Sequence, residues 1–118
     1  MNDSKILFII VSGPDEVEKA RQGLRIARNI AREKLAKEVR VLFLGPGIYL
    51  LDPSNKHYKL VSDYLTALRE SGVHVAACAG NLKAYGLEEK FDKKLVVADD
   101  AAAVVAEAAS RGFITATF

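Results

Sequence analysis

The chain has 118 residues, half of them hydrophobic and 27% charged, with a net charge of +2 at pH 7. That length suits a single domain over residues 1–118 with a core of its own, and the interspersed acids and bases argue against nucleic acid as the main partner. The single cysteine, Cys78, excludes an internal disulfide and a cysteine-rich zinc site within one chain, and fits a reducing compartment.

The N-terminal stretch MNDSKILFIIVSG has neither a cationic n-region nor a small-residue cleavage site. The apolar run Ile6–Val11 is far too short to span a bilayer, so a cytoplasmic location is expected. Lys5–Val11 is nearly continuous in β-branched and aromatic residues and predicts a strand buried on both faces. Ser12-Gly13-Pro14-Asp15 breaks it. Pro14, Asp15 and Glu16 suit the first turn of a helix, which runs to about Ala36. Val17, Ala20, Leu24, Ala27, Ala31 and Leu35 form its buried stripe. Arg21, Arg25, Arg28 and Arg32 form a second stripe, read as a solvated face with local ion pairs to Glu18, or else as a surface for an acidic partner or RNA.

Val39–Leu44 predicts the second strand and Gly45-Pro46-Gly47 its end, with Ile48–Lys56 a loop. His57–Ser71 predicts a helix with Leu60, Val61, Tyr64, Leu65 and Leu68 inward, stopped by Gly72 in a left-handed cap. Val73–Ala77 is the third strand, Asn81–Tyr85 a short helix and Leu95–Ala98 the fourth strand. Asp99 or Asp100 caps a last helix, Ala101–Arg111. Phe113–Phe118 alternates as a fifth strand, suited to an edge. Strands joined by helices imply a parallel sheet covered on both faces. The expected fold is therefore α/β, a three-layer α/β/α domain with a five-stranded parallel sheet.

Ligands of open parallel sheets bind beyond the carboxyl ends of the strands. Ser12–Asp15, Gly45–Tyr49, Cys78–Asn81 and Ala98–Asp100 all fall there. Cys78 alone joins intrinsic reactivity to that location. It precedes a helix start, whose unpaired N–H groups would stabilise a thiolate. Ala79 and Gly80 leave the sulfur open, and Lys83 adds positive charge. No general base is evident. His74 lies four residues back along the strand, roughly 13 Å away, and His57 comes from a different loop. The rival reading makes Cys78 a small hydrophobe packing a strand end. Gly45-Pro46-Gly47 lacks the third glycine of a dinucleotide loop, with Leu50 in its place, and no phosphate-loop motif occurs. A sharp turn exposing Ile48 and Tyr49 explains it better. Tyr49, Tyr58 and Tyr85 are candidates to line a rim pocket, and half-buried packing explains them equally well.

The stretch VHVAACAGNLKAYGL, Val73–Leu87, resembles the segment of DsrE/DsrF-like proteins in which a strand ends in a cysteine followed by a small-residue turn, a short helix and a glycine. VRVLFLGPGIYLL, Val39–Leu51, is similar to that family's second strand and Gly-x-Gly turn, and FITATF to its last strand. The resemblance spans nearly the whole chain. It implies a five-stranded parallel sheet between helices and assembly into trimers or hexamers. In the sulfur-relay branch the matching cysteine carries a persulfide, which here is Cys78. Other members have no established activity.

The expected function is thus an intracellular sulfur carrier that takes sulfur from a donor protein and passes it to an acceptor thiol. Cys78 would be the nucleophile, Ala79, Gly80, Asn81 and Lys83 would stabilise its anion, and Gly45, Gly47 and Tyr49 would shape the entrance. No cofactor, metal, membrane or nucleic acid is expected. The alternative is a non-catalytic oligomeric binding module with an inert Cys78. A nucleotide-binding role ranks third.

Overall fold

The protein is described by a computed structural model over residues 3–118. Met1 and Asn2, where the stretch read for a leader begins, lie outside the described residues. The elements follow the expected alternation. They are β1 (Lys5–Ile10), α1 (Val17–Arg32), β2 (Glu38–Phe43), α2 (Tyr58–Glu70), β3 (His74–Cys78), α3 (Ala79–Ala84), β4 (Val97–Asp99), α4 (Ala101–Ser110) and β5 (Ile114–Thr117). The five strands form one sheet in the order β4-β3-β2-β1-β5, and every neighbouring pair is parallel.

This order follows from handedness. Crossovers between parallel strands are right-handed. Steps from β1 to β2 and from β2 to β3 run in one direction, so α1 and α2 pack on one face. The chain then returns across the whole sheet to place β5 beside β1, and this reversal puts α4 on the other face. The two cores reflect it. Phe8, Ile10, Val41, Phe43 and Val75 pack against Leu24, Ala27, Leu65 and Leu68 of α1 and α2. Leu7, Leu42 and Ala76, the alternate positions of the same strands, pack against Val104 and Ala108 of α4 and against Phe113. Period-two alternation thus fills both layers from one set of strands.

Boundaries depart from the sequence reading where tertiary contacts decide them. The first helix ends at Arg32, not Ala36, because Lys34 adopts a positive φ of 56°. Leu35, expected in the buried stripe, is consequently 45% exposed. Leu60 is only partly buried, on the rim of the main core. Residues 45–51 are not an open loop but a tight 3-10 helix that buries Ile48 completely and leaves Tyr49 exposed. Gly72 closes α2 at φ +80° as expected. Asp100 caps α4, its carboxylate accepting the Ala102 N–H at 3.0 Å.

The last residue is tied into the rim. Phe118 donates its N–H to Ile9 at 2.8 Å, and its carbonyl accepts the N–H of Val11 at 2.7 Å. Its ring stacks on Phe8 with centroids 6.1 Å apart. Gly23 of α1 admits that ring, since a Cβ there would come within 2.7 Å of it.

Candidate functional site

All strands are parallel, so the segments after β1, β2, β3 and β4 share one rim. The register places Ala77 beside Phe43 and Cys78 beside Asp99. Cys78 therefore has the turn after β2 on one side and the end of β4 on the other. It is both the last residue of β3 and the N-cap of α3, which starts at Ala79, two residues earlier than the sequence suggests.

The thiol is half-buried. It makes no capping hydrogen bond to α3. Ala79 and Gly80 are exposed. A Cβ built on Gly80 would have one neighbour within 4 Å, the Cys78 Sγ at 3.9 Å. The space over Gly80 is therefore the open approach to the sulfur. The first-turn N–H groups of α3 have no intrahelical acceptors. Lys83 sits in the last turn, exposed, about 7 Å further along the axis than the thiol. Its side chain makes no hydrogen bond or ion pair among the described residues, so no contact holds its charge at the sulfur.

On the β2 side the site is closed and braced. The Asn81 side-chain oxygen accepts the Gly45 N–H at 2.8 Å, joining the first turn of α3 to the turn after β2. Gly45 holds φ +56°, a conformation glycine adopts at little cost. Gly47 is buried, and a Cβ there would collide with the Ile10 carbonyl oxygen. It shapes the turn and offers no surface to a ligand. A Cβ on Gly13 would come within 2.5 Å of the Pro46 carbonyl oxygen, so the turns after β1 and β2 interlock through their glycines. Tyr49 stacks on Tyr85, with centroids 4.6 Å apart and planes 11° from parallel. This pair ties the same turn to the far end of α3.

On the β4 side the site is open. A cleft of about 420 Å³ lies between α3 and β4, reaching Ala79 but not Cys78 itself, with Leu82, Phe91, Val96 and Val97 among its walls and Glu88, Glu89 and Lys93 also lining it. Glu89 and Lys93 pair at 3.1 Å. The sequence reading missed this cleft and placed the entrance at Gly45–Tyr49. Residues 88–96 are irregular and carry no periodic signal that would have revealed it. Two groups on the neighbouring elements sense the charges of this segment. Burial, reinforced by the nearby Asp92 carboxylate, pushes the Tyr58 phenol above its ordinary value. Asp52 is held below the usual carboxylate range by the N–H of Ser54 and, more weakly, by its hydroxyl and by Lys90.

The two histidines stay apart from this arrangement. His74 is exposed at the start of β3, at the opposite end of the strand from Cys78. His57 caps α2. Among the described residues there is no cluster that could hold a metal ion and no helix long and apolar enough to cross a membrane.

The sequence model of the DsrE/DsrF-like family matches residues 4–117. No curated protein matches the chain. Solved structures that share the fold include three with high similarity. A conserved protein of unknown function from Bacteroides thetaiotaomicron, BT1422, is 14% identical with a TM-score of 0.81, covering 98% of this chain and 95% of its own. The ychN protein from E. coli is 16% identical with a TM-score of 0.79, covering 98% and 99%. A protein of unknown function from Methanobacterium thermoautotrophicum, MTH1491, is 17% identical with a TM-score of 0.76, covering 98% and 100%.

Proposed function

The chain belongs to the DsrE/DsrF-like family, and from that premise we propose that it carries sulfur as a persulfide on Cys78. The observation that supports this reading most is the placement of the only thiol. Cys78 is half-buried at the strand rim, does not cap its helix, and is open over Gly80.

In the loading step the Cys78 thiolate attacks the outer sulfur of a donor persulfide. The donor S–S bond breaks, the donor leaves as a thiolate, and Cys78–S–SH remains. In unloading, an acceptor thiolate attacks the terminal sulfur and Cys78 leaves as the thiolate. Each step exchanges one S–S bond for another, so no external oxidant or reductant is consumed. Neither step needs a general base once the thiol is ionised, which accords with the distance to His74. The N–H groups at the start of α3 are the donors available to the sulfur anion. The partners in this reading are a persulfide donor and a thiol acceptor, and the protein acts in the cytoplasm as a homo-oligomer. The half-exposed thiol favours it over an inert-cysteine binding module.

The test is mass spectrometry of the intact protein after incubation with a low-molecular-weight persulfide. Wild type should gain the mass of one sulfur and lose it to added acceptor thiol, and Cys78→Ser should gain none. An unlabelled wild type, or an equally labelled Cys78→Ser, would reject the proposal.

A further inference from the structure

The arginine stripe of α1 acquires a partner surface in the fold. Spacings of four, three and four residues keep Arg21, Arg25, Arg28 and Arg32 within an arc of about 60° and spread them over about 16 Å. That arc is the shoulder of α1 facing α2. There a groove of about 270 Å³ runs between the helices, lined by Arg28, Arg32, Leu60, Asp63, Tyr64 and Ala67.

The expected local pairing accounts for only one of the four charges. Arg21 pairs with Glu18 at 2.9 Å. Arg25 meets only the neutral Gln22 oxygen at 3.1 Å. Arg28 bonds the neutral Asn29 oxygen at 3.1 Å and lies over the Tyr64 ring, 4.8 Å from its centroid. Arg32 has no partner among the described residues. The one carboxylate in the groove, Asp63, is already paired with Lys59 at 2.8 Å. Arg28 and Arg32 thus line a groove with Leu60 and Ala67 in its wall, Arg25 continues the same helix face, and no carboxylate is paired with any of the three.

We infer that this groove docks an acidic amphipathic helix of a partner protein, with carboxylates at the same four-three-four spacing beside an apolar row. A second helix matches that repeat because it has the same pitch. Its apolar side chains seat on Leu60 and Ala67, and its carboxylates meet Arg25, Arg28 and Arg32. Nucleic acid fits less well. Tyr64 is 7% exposed beneath Arg28 and leaves no face for a base to stack on. No helix of this chain fits either. α4 carries one glutamate, α1 is itself basic, α3 has no acid, and α2, with only Asp63 (paired to Lys59) and Glu70, is itself a wall of the groove. The occupant is therefore another protein. The site is independent of Cys78.

The probe is a fluorescent synthetic helix of about four turns, with Glu at the stated spacing beside a row of Leu, titrated with the full chain. It should bind wild type and Cys78→Ser alike and weaken as salt rises. R28E/R32E should reduce its affinity about tenfold or more, as loss and reversal of close charge pairs does. R25E/R32E, which leaves the ring-stacked Arg28 in place, should reduce it similarly. A peptide with Lys for Glu should prefer these variants, which also shows that they are folded. Replacing the Leu row by Ser should weaken binding to wild type. Absent binding to wild type, binding by either double variant as tight as by wild type, or stronger arginine-dependent binding of oligouridine would overturn the inference.

Discussion

Gly80→Ala separates the two demands on the cysteine turn, stability and access. Gly80 lies inside α3 without a positive φ, so alanine needs no backbone change. Alanine is favoured over glycine in a helix interior by about 1 kcal/mol, and somewhat less in a first turn. The added Cβ meets no atom closer than the Cys78 Sγ at 3.9 Å, which is an ordinary contact. The variant should therefore gain about 0.5–1 kcal/mol, a rise in melting temperature of about 2–5 °C for a domain of this size. The same methyl narrows the open approach to the sulfur. Alkylation by a bulky maleimide should slow severalfold while iodoacetamide reacts almost as in wild type. Thermal unfolding and paired alkylation kinetics on the folded protein measure both effects. A lower melting temperature would refute the assigned backbone and space at Gly80. Equal slowing, or none, with both reagents would refute the approach over Gly80.

Gly47→Ala should behave in the opposite way, because its Cβ runs into the Ile10 carbonyl oxygen, which is backbone and cannot rotate aside. A loss of about 1–3 kcal/mol is expected by denaturant unfolding, and an unchanged midpoint would contradict the packing of the two turns. Glu38 gives a pH test. Burial raises its carboxyl, but hydrogen bonds from Arg111 and Arg40 more than offset this and hold it below its ordinary value. A carboxyl lowered in the folded state stabilises above its unfolded value of about 4.3. That contribution is lost as pH falls through the folded value. Being partly exposed, the network should contribute no more than about 1 kcal/mol. Urea midpoints of wild type and Glu38→Gln should differ at pH 7 and converge below pH about 4; a gap that widens in acid would reject the assignment.

The fold was legible because its strands are strongly patterned. KILFII and EVRVLF supply residues to both layers, and those two faces are what a parallel sheet needs. What stayed hidden depends on contacts distant in sequence. Nothing around Leu35 announces that Lys34 will turn left-handed and expose it. Nothing in GPGIYLL shows that Ile48 will be buried, because its burial depends on the helices and strands around the turn. Cys78 was singled out from its place at the end of an apolar run before a small-residue turn, and it does end β3. The bond between Asn81 and Gly45 spans 36 residues and leaves no local trace. The α1 arginines were legible as a stripe, but that Arg25, Arg28 and Arg32 lack carboxylate partners became evident only when α2 lay beside them.

The glycines of the rim show why a list of site residues understates a site. Gly45, Gly47 and Gly80 look alike in sequence, each a small residue near the thiol, yet each meets a different physical requirement. Gly45 takes a left-handed conformation and donates to Asn81. Gly47 is needed because the turn after β2 lies directly against the backbone of β1. Gly80 is needed for neither backbone nor packing, and its missing side chain leaves the sulfur uncovered. Stability alone would place alanine at position 80, since the backbone allows it and the helix favours it. A glycine where alanine would be more stable, beside the only thiol, leaves the sulfur open to a bulky partner, an opening that a packing cysteine would not need.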